Sequence, residues 1–149
     1  MAKVSIVIPC YFNEGNIPVT MQALYNNESC FDSDVSFEYV LVDDGSLDNT
    51  WQAILAQQKA YPEKIVAVKL TRNFGTHNSA LAGLHYATGD FIGFLAADLQ
   101  DPPELIPQMY RHWKNGYKLV LANRMDREDN WLTKFVSGCF HKIMRQYIL

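Results

Sequence analysis

Cysteine is scarce in this sequence. Cys10, Cys30 and Cys139 make three in all, an odd number and widely spaced. No CxxC pair occurs, so neither a disulfide framework nor a thiolate zinc site is indicated. Such thiols suit a reducing, cytoplasmic setting. An excess of positive charge is also lacking. The 13 Lys and Arg stand against 16 Asp and Glu, giving a net charge of −3 and a pI of about 5.7. Nucleic-acid binding needs a basic footprint, so the balance argues for no nucleic acid among the partners. It leaves room for a small anion, where local charge decides. No apolar run approaches the ~20 residues of a membrane span. The run after Met1-Ala2-Lys3 is too short for a signal-peptide core. Three motifs are missing as well. Without GxGxxG, a Rossmann dinucleotide site is disfavoured; without GxxxxGK[ST] there is no P-loop. Without GxSxG there is no hydrolase elbow. Phosphates, if bound, are then held by metal and arginines rather than by a glycine cradle.

What is present is an ordinary globular composition: 149 residues, 48% hydrophobic and 19% charged. That suffices for one domain with a real core. Apolar runs at 4–8, 37–42, 65–70, 91–95 and 118–122 read as strands. Helical spacing at 17–26, 48–61, 78–87 and 104–114 separates them. Ser46 or Asp48 is the expected N-cap of the second helix. Gly116 suits the residue just after the fourth. Alternation of this kind gives a mostly parallel sheet with helices on both faces, an α/β fold. Continuous apolar strands are expected when both faces are covered. From Trp131 onward helical spacing runs to Leu149 without a cap, and polar 126–130 is the one linker candidate. Either such a helix packs on this domain or the chain is cut from something longer, and the second is the expectation.

Polar residues gather where the strands stop. They fall at 9–14, 43–46, 72–75, 98–101 and 123–127. All five sets lie on the carboxyl edge of the expected sheet, where open α/β sheets bind ligands. The most informative stretch is Phe94-Leu95-Ala96-Ala97-Asp98-Leu99-Gln100-Asp101-Pro102-Pro103-Glu104. Asp98 ends a buried run, a poor structural choice but a good place for a metal ion and its phosphates. Asp101, Pro102 and Glu104 have a structural explanation as N-cap, N1 and N3 of the next helix. Asp43-Asp44-Gly45-Ser46 suits a tight turn. Its adjacent carboxylates repel unless satisfied, and one at a strand end can accept a nucleobase N–H or a ribose hydroxyl. Tyr11 can stack on a base and Glu14 can hydrogen-bond it, although Glu14 also suits a solvated first helical turn. Cys10 reads as a small buried apolar residue. Arg72, Arg124 and Arg127 are each explicable as surface charge, but together they make a diphosphate clamp. His77, a loop histidine without partner spacing, is read as neither ligand nor base.

In combination these motifs resemble the family 2 glycosyltransferases of the GT-A fold. The residues are Val4 to Pro9 with Tyr11, Asn13 and Glu14; Val42-Asp43-Asp44-Gly45-Ser46; Arg72-Asn73-Phe74-Gly75; and Ala97-Asp98-Leu99-Gln100 with Pro102-Pro103-Glu104. The nearest subgroup is the polyprenyl-phosphate glycosyltransferases that use dolichol or undecaprenyl phosphate. The resemblance implies residues 1–127 as a nucleotide-sugar-binding domain, the N-terminal part of a longer catalytic domain, and 128–149 as a truncated amphipathic helical segment. It implies Pro9, Tyr11 and Glu14 lining a nucleoside pocket with Asp43 and Asp44, and Arg72 on the donor side. Asp98 would bind Mg²⁺ or Mn²⁺. Gln100 would lie near the sugar or metal, and Arg124 and Arg127 near the donor phosphates or lipid phosphate. The subgroup usually reads Asp-Ala-Asp-Leu-Gln, and here the first acid is Ala96. Mg²⁺ commonly takes one or two carboxylates, with phosphates and waters completing its shell, so Asp98 alone can serve.

The expected reaction is transfer of a sugar from a UDP- or GDP-sugar to a lipid phosphate at the cytoplasmic face of a membrane, with inversion. A homo-oligomer is compatible with it. Transfer by 149 residues alone is expected to be weak or absent. The alternatives are transfer to a polysaccharide or glycan hydroxyl, and a nucleotide-sugar-binding module without turnover. A receiver-like flavodoxin fold is disfavoured by Arg124 and Arg127.

Overall fold

The computed structural model describes residues 2–122. Four strands, β1 (Lys3–Cys10), β2 (Ser36–Asp43), β3 (Ile65–Lys69) and β4 (Phe91–Phe94), alternate with α1 (Asn16–Asn27), α2 (Thr50–Ala60), α3 (Thr76–Tyr86) and α4 (Leu105–Lys114). A 3-10 turn over Glu28–Cys30 follows α1. The strands are ordered β3-β2-β1-β4 and every pair is parallel. Cys10 is in register with Asp43, and Asp43 with Lys69, so the carboxyl ends of three strands finish level.

Alternation along the strands sorts the core into two layers. Val4, Ile6 and Ile8 of β1, with Tyr39 and Leu41 of β2, pack against Ile17, Met21 and Leu24 of α1, Ile54 of α2, and Ile106 and Tyr110 of α4. The intervening Val7, Val40, Val42 and Val68 form a smaller layer that meets Ala82 of α3. Gly83 permits that contact. A Cβ there would stand 2.4 Å from Val7 Cγ1 and 2.9 Å from Val42 Cγ2. Alanine normally gains about 1 kcal/mol over glycine inside a helix. Overpacking costs about 1–3 kcal/mol. Gly83→Ala is therefore expected to destabilise by up to about 2 kcal/mol net in urea unfolding, towards the upper end because both contacts are below 3.0 Å; a stabilised variant would show that α3 can shift away from the sheet.

Pro9 lies inside β1 rather than ending it. The Val7 carbonyl accepts the Leu95 N–H at 3.1 Å, the last rung to β4. Two residues on, Pro9 faces the same side without an N–H, so the β1–β4 ladder stops there and the strands part.

Three expectations are corrected. Residues 118–122 do not form a strand. Leu119 and Leu121 stay largely exposed, and the described sheet ends at β4. A strand-like composition needs a partner to pair with, and the described residues offer none. Neither Ser46 nor Asp48 is the N-cap of α2. Asn49 occupies that position, because its carbonyl accepts the first intrahelical N–H, from Ala53; Ser46 Oγ accepts the Phe12 N–H instead, and Asp48, one residue before the cap, accepts the N–H of Thr50 through Oδ1. Asp101 is not the N-cap of α4, which starts at Leu105 after Glu104. Pro103 disfavours helical backbone at Pro102, so turns closed by Leu105 and Ile106 N–H groups on the Pro102 and Pro103 carbonyls come first. Gly116 does follow the cap residue of α4, at φ +97°. The boundary expected at residue 127 and the helical segment beyond it lie outside the described residues.

Candidate functional site

Residues at and beyond the carboxyl ends of β1, β2 and β4, with the start of α3, border one cleft of about 480 Å³ at the carboxyl edge of the sheet. Pro9 and Tyr11 reach it from β1, Asp44 from β2, the first turn of α3 from the β3 side, and Asp98 from β4.

The β1 loop is held by one bond within itself and two from the segment after β2. Tyr11 N–H donates to Asn13 Oδ1 at 2.8 Å, Phe12 N–H to Ser46 Oγ at 3.1 Å, and Asn13 N–H to Thr50 Oγ1 at 2.7 Å. These bonds keep Phe12 at φ +53°, a left-handed conformation that costs a bulky residue about 1–3 kcal/mol. Leu99, beside Asp98, is left-handed too at φ +56°. The two strained non-glycine residues thus flank the same cleft.

The paired acids divide their work. Asp43 is fully buried. Its Oδ1 accepts the Ser46 N–H at 3.0 Å, and Lys69 Nζ lies 4.0 Å from Oδ2. This carboxylate closes the turn and does not line the cleft. Asp44 does, and both its oxygens also accept backbone N–H groups, Phe74 at 2.8 Å and Gly75 at 2.9 Å. It therefore fastens the loop that opens α3. Gly45 lies at φ +71°, where an added Cβ would stand 2.5 Å from the Arg72 carbonyl carbon. Only glycine lets the two loops approach so closely. The repulsion expected of neighbouring acids is met by amide donors.

Cys10 lies at the cleft and is buried. Burial, reinforced by the Asp43 charge, pushes its thiol up to about 12, so it stays protonated and unreactive. Asp98 is exposed, and its Oδ1 accepts the Gln100 N–H at 3.1 Å. Gln100 itself is exposed and does not line the cleft. Glu14 is also outside it; its Oε2 accepts the Asn49 N–H at 2.8 Å, at the start of α2. Arg72 places its guanidinium over the Phe74 ring, 4.4 Å from the centroid, rather than in the cleft. Arg124 and Arg127 lie outside the described residues.

Sequence reasoning missed His77, Thr76 and Asp101, which all line the cleft. Helical spacing starts at 78, which leaves His77 in a loop. The helix begins at Thr76, immediately after Gly75 at φ +90°. Gly75, a residue type favoured just before a first helical turn, was the available signal.

The fit to a divalent ion follows from the donor set. Among the described residues no three His, Cys, Asp or Glu side chains gather as a ready metal cage. Asp98, an exposed cleft carboxylate with exposed Asp101 three residues on, suits an ion whose remaining ligands are phosphate oxygens and water.

The family model that matches is described as glycosyl transferase family 2, over residues 5–148. The chain is 38% identical over 144 residues to the undecaprenyl-phosphate 4-deoxy-4-formamido-L-arabinose transferase of Sodalis glossinidius (strain morsitans). That match covers 97% of this chain and 44% of the relative, so the chain spans less than half the relative's length. Among solved structures, the mannosyltransferase PcManGT of Pyrobaculum calidifontis, in complex with GDP-Man and Mn²⁺, superposes with a TM-score of 0.61 at 22% identity. It covers 74% of this chain and 32% of that one. S. aureus TarS 1–349 in complex with UDP gives a TM-score of 0.55 at 25% identity, covering 76% and 32%.

Proposed function

From the premise that this chain belongs to glycosyl transferase family 2 and has the GT-A fold, we propose that it supplies the donor-binding part of a polyprenyl-phosphate glycosyltransferase. The sugar of a UDP- or GDP-sugar passes to a lipid phosphate with inversion. The observation that carries this reading is the convergence of Pro9, Tyr11, Asp44 and Asp98, from three different loops, on one cleft. The relative's acceptor, undecaprenyl phosphate, supports the lipid assignment.

In this reading Tyr11, 45% exposed at the cleft mouth, stacks on the nucleobase. Asp44 keeps acceptor capacity for a base N–H or ribose hydroxyl, because each carboxylate oxygen takes more than one bond. Asp98 would hold Mg²⁺ or Mn²⁺, and a bound divalent ion neutralises charge on a departing diphosphate. Gln100, on the same turn but outside the cleft lining, would approach the sugar from the rim, and Arg124 and Arg127, outside the described residues, would contact the phosphates. A lipid-phosphate oxygen attacks the anomeric carbon from the face opposite the diphosphate. The new C–O bond forms as the bond to the nucleoside diphosphate breaks. The acceptor is already ionised at neutral pH, so no strong general base is needed.

Catalysis at the cytoplasmic membrane surface would bring this cleft to its lipid. No helix among the described residues is long and apolar enough to cross a membrane.

Calorimetry with UDP- and GDP-sugars, with and without Mn²⁺, tests the reading. One nucleotide-sugar should bind, more tightly with metal. Asp98→Ala should abolish that metal dependence and weaken binding roughly 10–100-fold, the scale of a lost charge-assisted contact. Failure to bind either nucleotide defeats the reading, and metal-independent binding unchanged by Asp98→Ala removes Asp98 from its role.

A further inference from the structure

We infer that His77 is a phosphate-binding residue of the cleft, donating a hydrogen bond to a phosphoryl oxygen of the ligand. The inference rests on the donor and acceptor classes proposed above and adds a residue to them.

The argument starts from charge. The cleft is lined by three carboxylates, Asp44, Asp98 and Asp101. A nucleoside diphosphate or a lipid phosphate brings more negative charge to the same place. Among the described residues lining the cleft, His77 is the one side chain that can carry a positive charge. The nearby cations are engaged elsewhere. Arg72 lies on the Phe74 ring, and Lys69 lies over the Trp51 ring, 5.4 Å from its centroid.

Position supports the same role. His77 is the second residue of α3, and Asp44 fastens the preceding loop through the Phe74 and Gly75 N–H groups. The imidazole therefore stands on an anchored element, separate from the turn that carries Asp98. Imidazole offers an N–H donor whether neutral or protonated, so the contact does not require one protonation state. Donors to phosphate oxygen are among the stronger hydrogen bonds.

Donor diphosphate and acceptor phosphate share this chemistry, and a titration separates them. The 149-residue chain, labelled with ¹⁵N, is titrated with uridine and UDP, with guanosine and GDP, and with decyl phosphate, in Mg²⁺. His77→Ala should leave nucleoside affinity within about twofold and weaken either the diphosphate or decyl phosphate by about tenfold. His77→Gln, which keeps an N–H donor, should recover part of that loss. The ligand that weakens identifies the source of the phosphate. Equal losses for nucleoside and diphosphate would make His77 a purely structural wall residue and overturn the inference. Unchanged phosphate binding in His77→Ala, or no phosphate binding by the wild-type chain, overturns it too. Loss of nucleoside and nucleotide binding in the wild type, with decyl phosphate still bound, would defeat the proposed donor while leaving His77 to be decided by decyl phosphate.

Discussion

Glu38→Gln is expected to destabilise the chain by about 2–4 kcal/mol at pH 7, although it alters neither shape nor the cleft. Glu38 is 6% exposed, at the end of the sheet away from the site. Its Oε1 accepts Lys3 Nζ at 2.6 Å and Thr88 Oγ1 at 2.8 Å. Its Oε2 accepts Ser5 Oγ at 2.6 Å and the Thr88 N–H at 2.8 Å. An amide NH₂ in place of either oxygen meets a donor that cannot turn round, the Lys3 ammonium on one side or the Thr88 backbone on the other. The network ties the α3–β4 connection to β1 and β2, so its loss loosens the edge of the sheet. Burial alone would raise the Glu38 carboxyl. The bonds from Lys3, Ser5 and Thr88 outweigh it and hold the group down at about 2 against an ordinary 4.5. A lowered pKa contributes stability that is complete above about pH 4.5 and disappears as pH falls through about 2. Urea unfolding of both proteins should therefore show a constant gap from pH 7 to pH 5 and a shrinking one below. A gap that persists undiminished to pH 2 would sink this account.

How far the sequence could be read depended on the range of the interactions. Apolar runs followed by Pro9, by Asp43-Asp44, by Arg72 and by Asp98 are local patterns, and they located four strands and the edge on which the cleft lies. Helix starts were read less well. Asp48 and Ser46 carry the right side chains for a cap, but Ser46 bonds to Phe12, 34 residues away. Glu14 likewise bonds to Asn49 across 35 residues. Nothing in local composition records such contacts. Residues 118–122 have the apolar makeup of a strand, yet a strand exists only with a neighbour. His77 has no partner at ligand spacing in the sequence. Its neighbours in the cleft come from β1, β2 and β4, and only the fold assembles them. Asp44 was singled out for the ligand, but its structural task, a bond to each of two amides 30 and 31 residues on, was invisible.

That double task makes Asp44 the residue whose loss should do most harm to the site. Asp44→Ala leaves the Phe74 and Gly75 N–H groups without their charged acceptor. Hydrogen bonds to charged groups contribute about 1.5–3 kcal/mol each, and partial access of water to this loop lowers the sum. A loss of about 2–4 kcal/mol in urea unfolding is expected, together with a fall in nucleotide affinity of at least roughly 100-fold, because the base contact and the anchored start of α3 go together. Asp44→Asn separates this account from a base contact alone. Asparagine retains one oxygen for a ligand but cannot accept from both amides, since its NH₂ would face one of them. If the clamp matters, Asn should be nearly as damaging as Ala, and amide exchange at residues 74 and 75 should accelerate in both variants. If Asp44 acts only on the base, Asn should keep wild-type stability and slow exchange, and only ligand affinity should change. The bidentate geometry favours the first outcome: a carboxylate 2% exposed, with an amide on each oxygen, holds the loop before any ligand arrives.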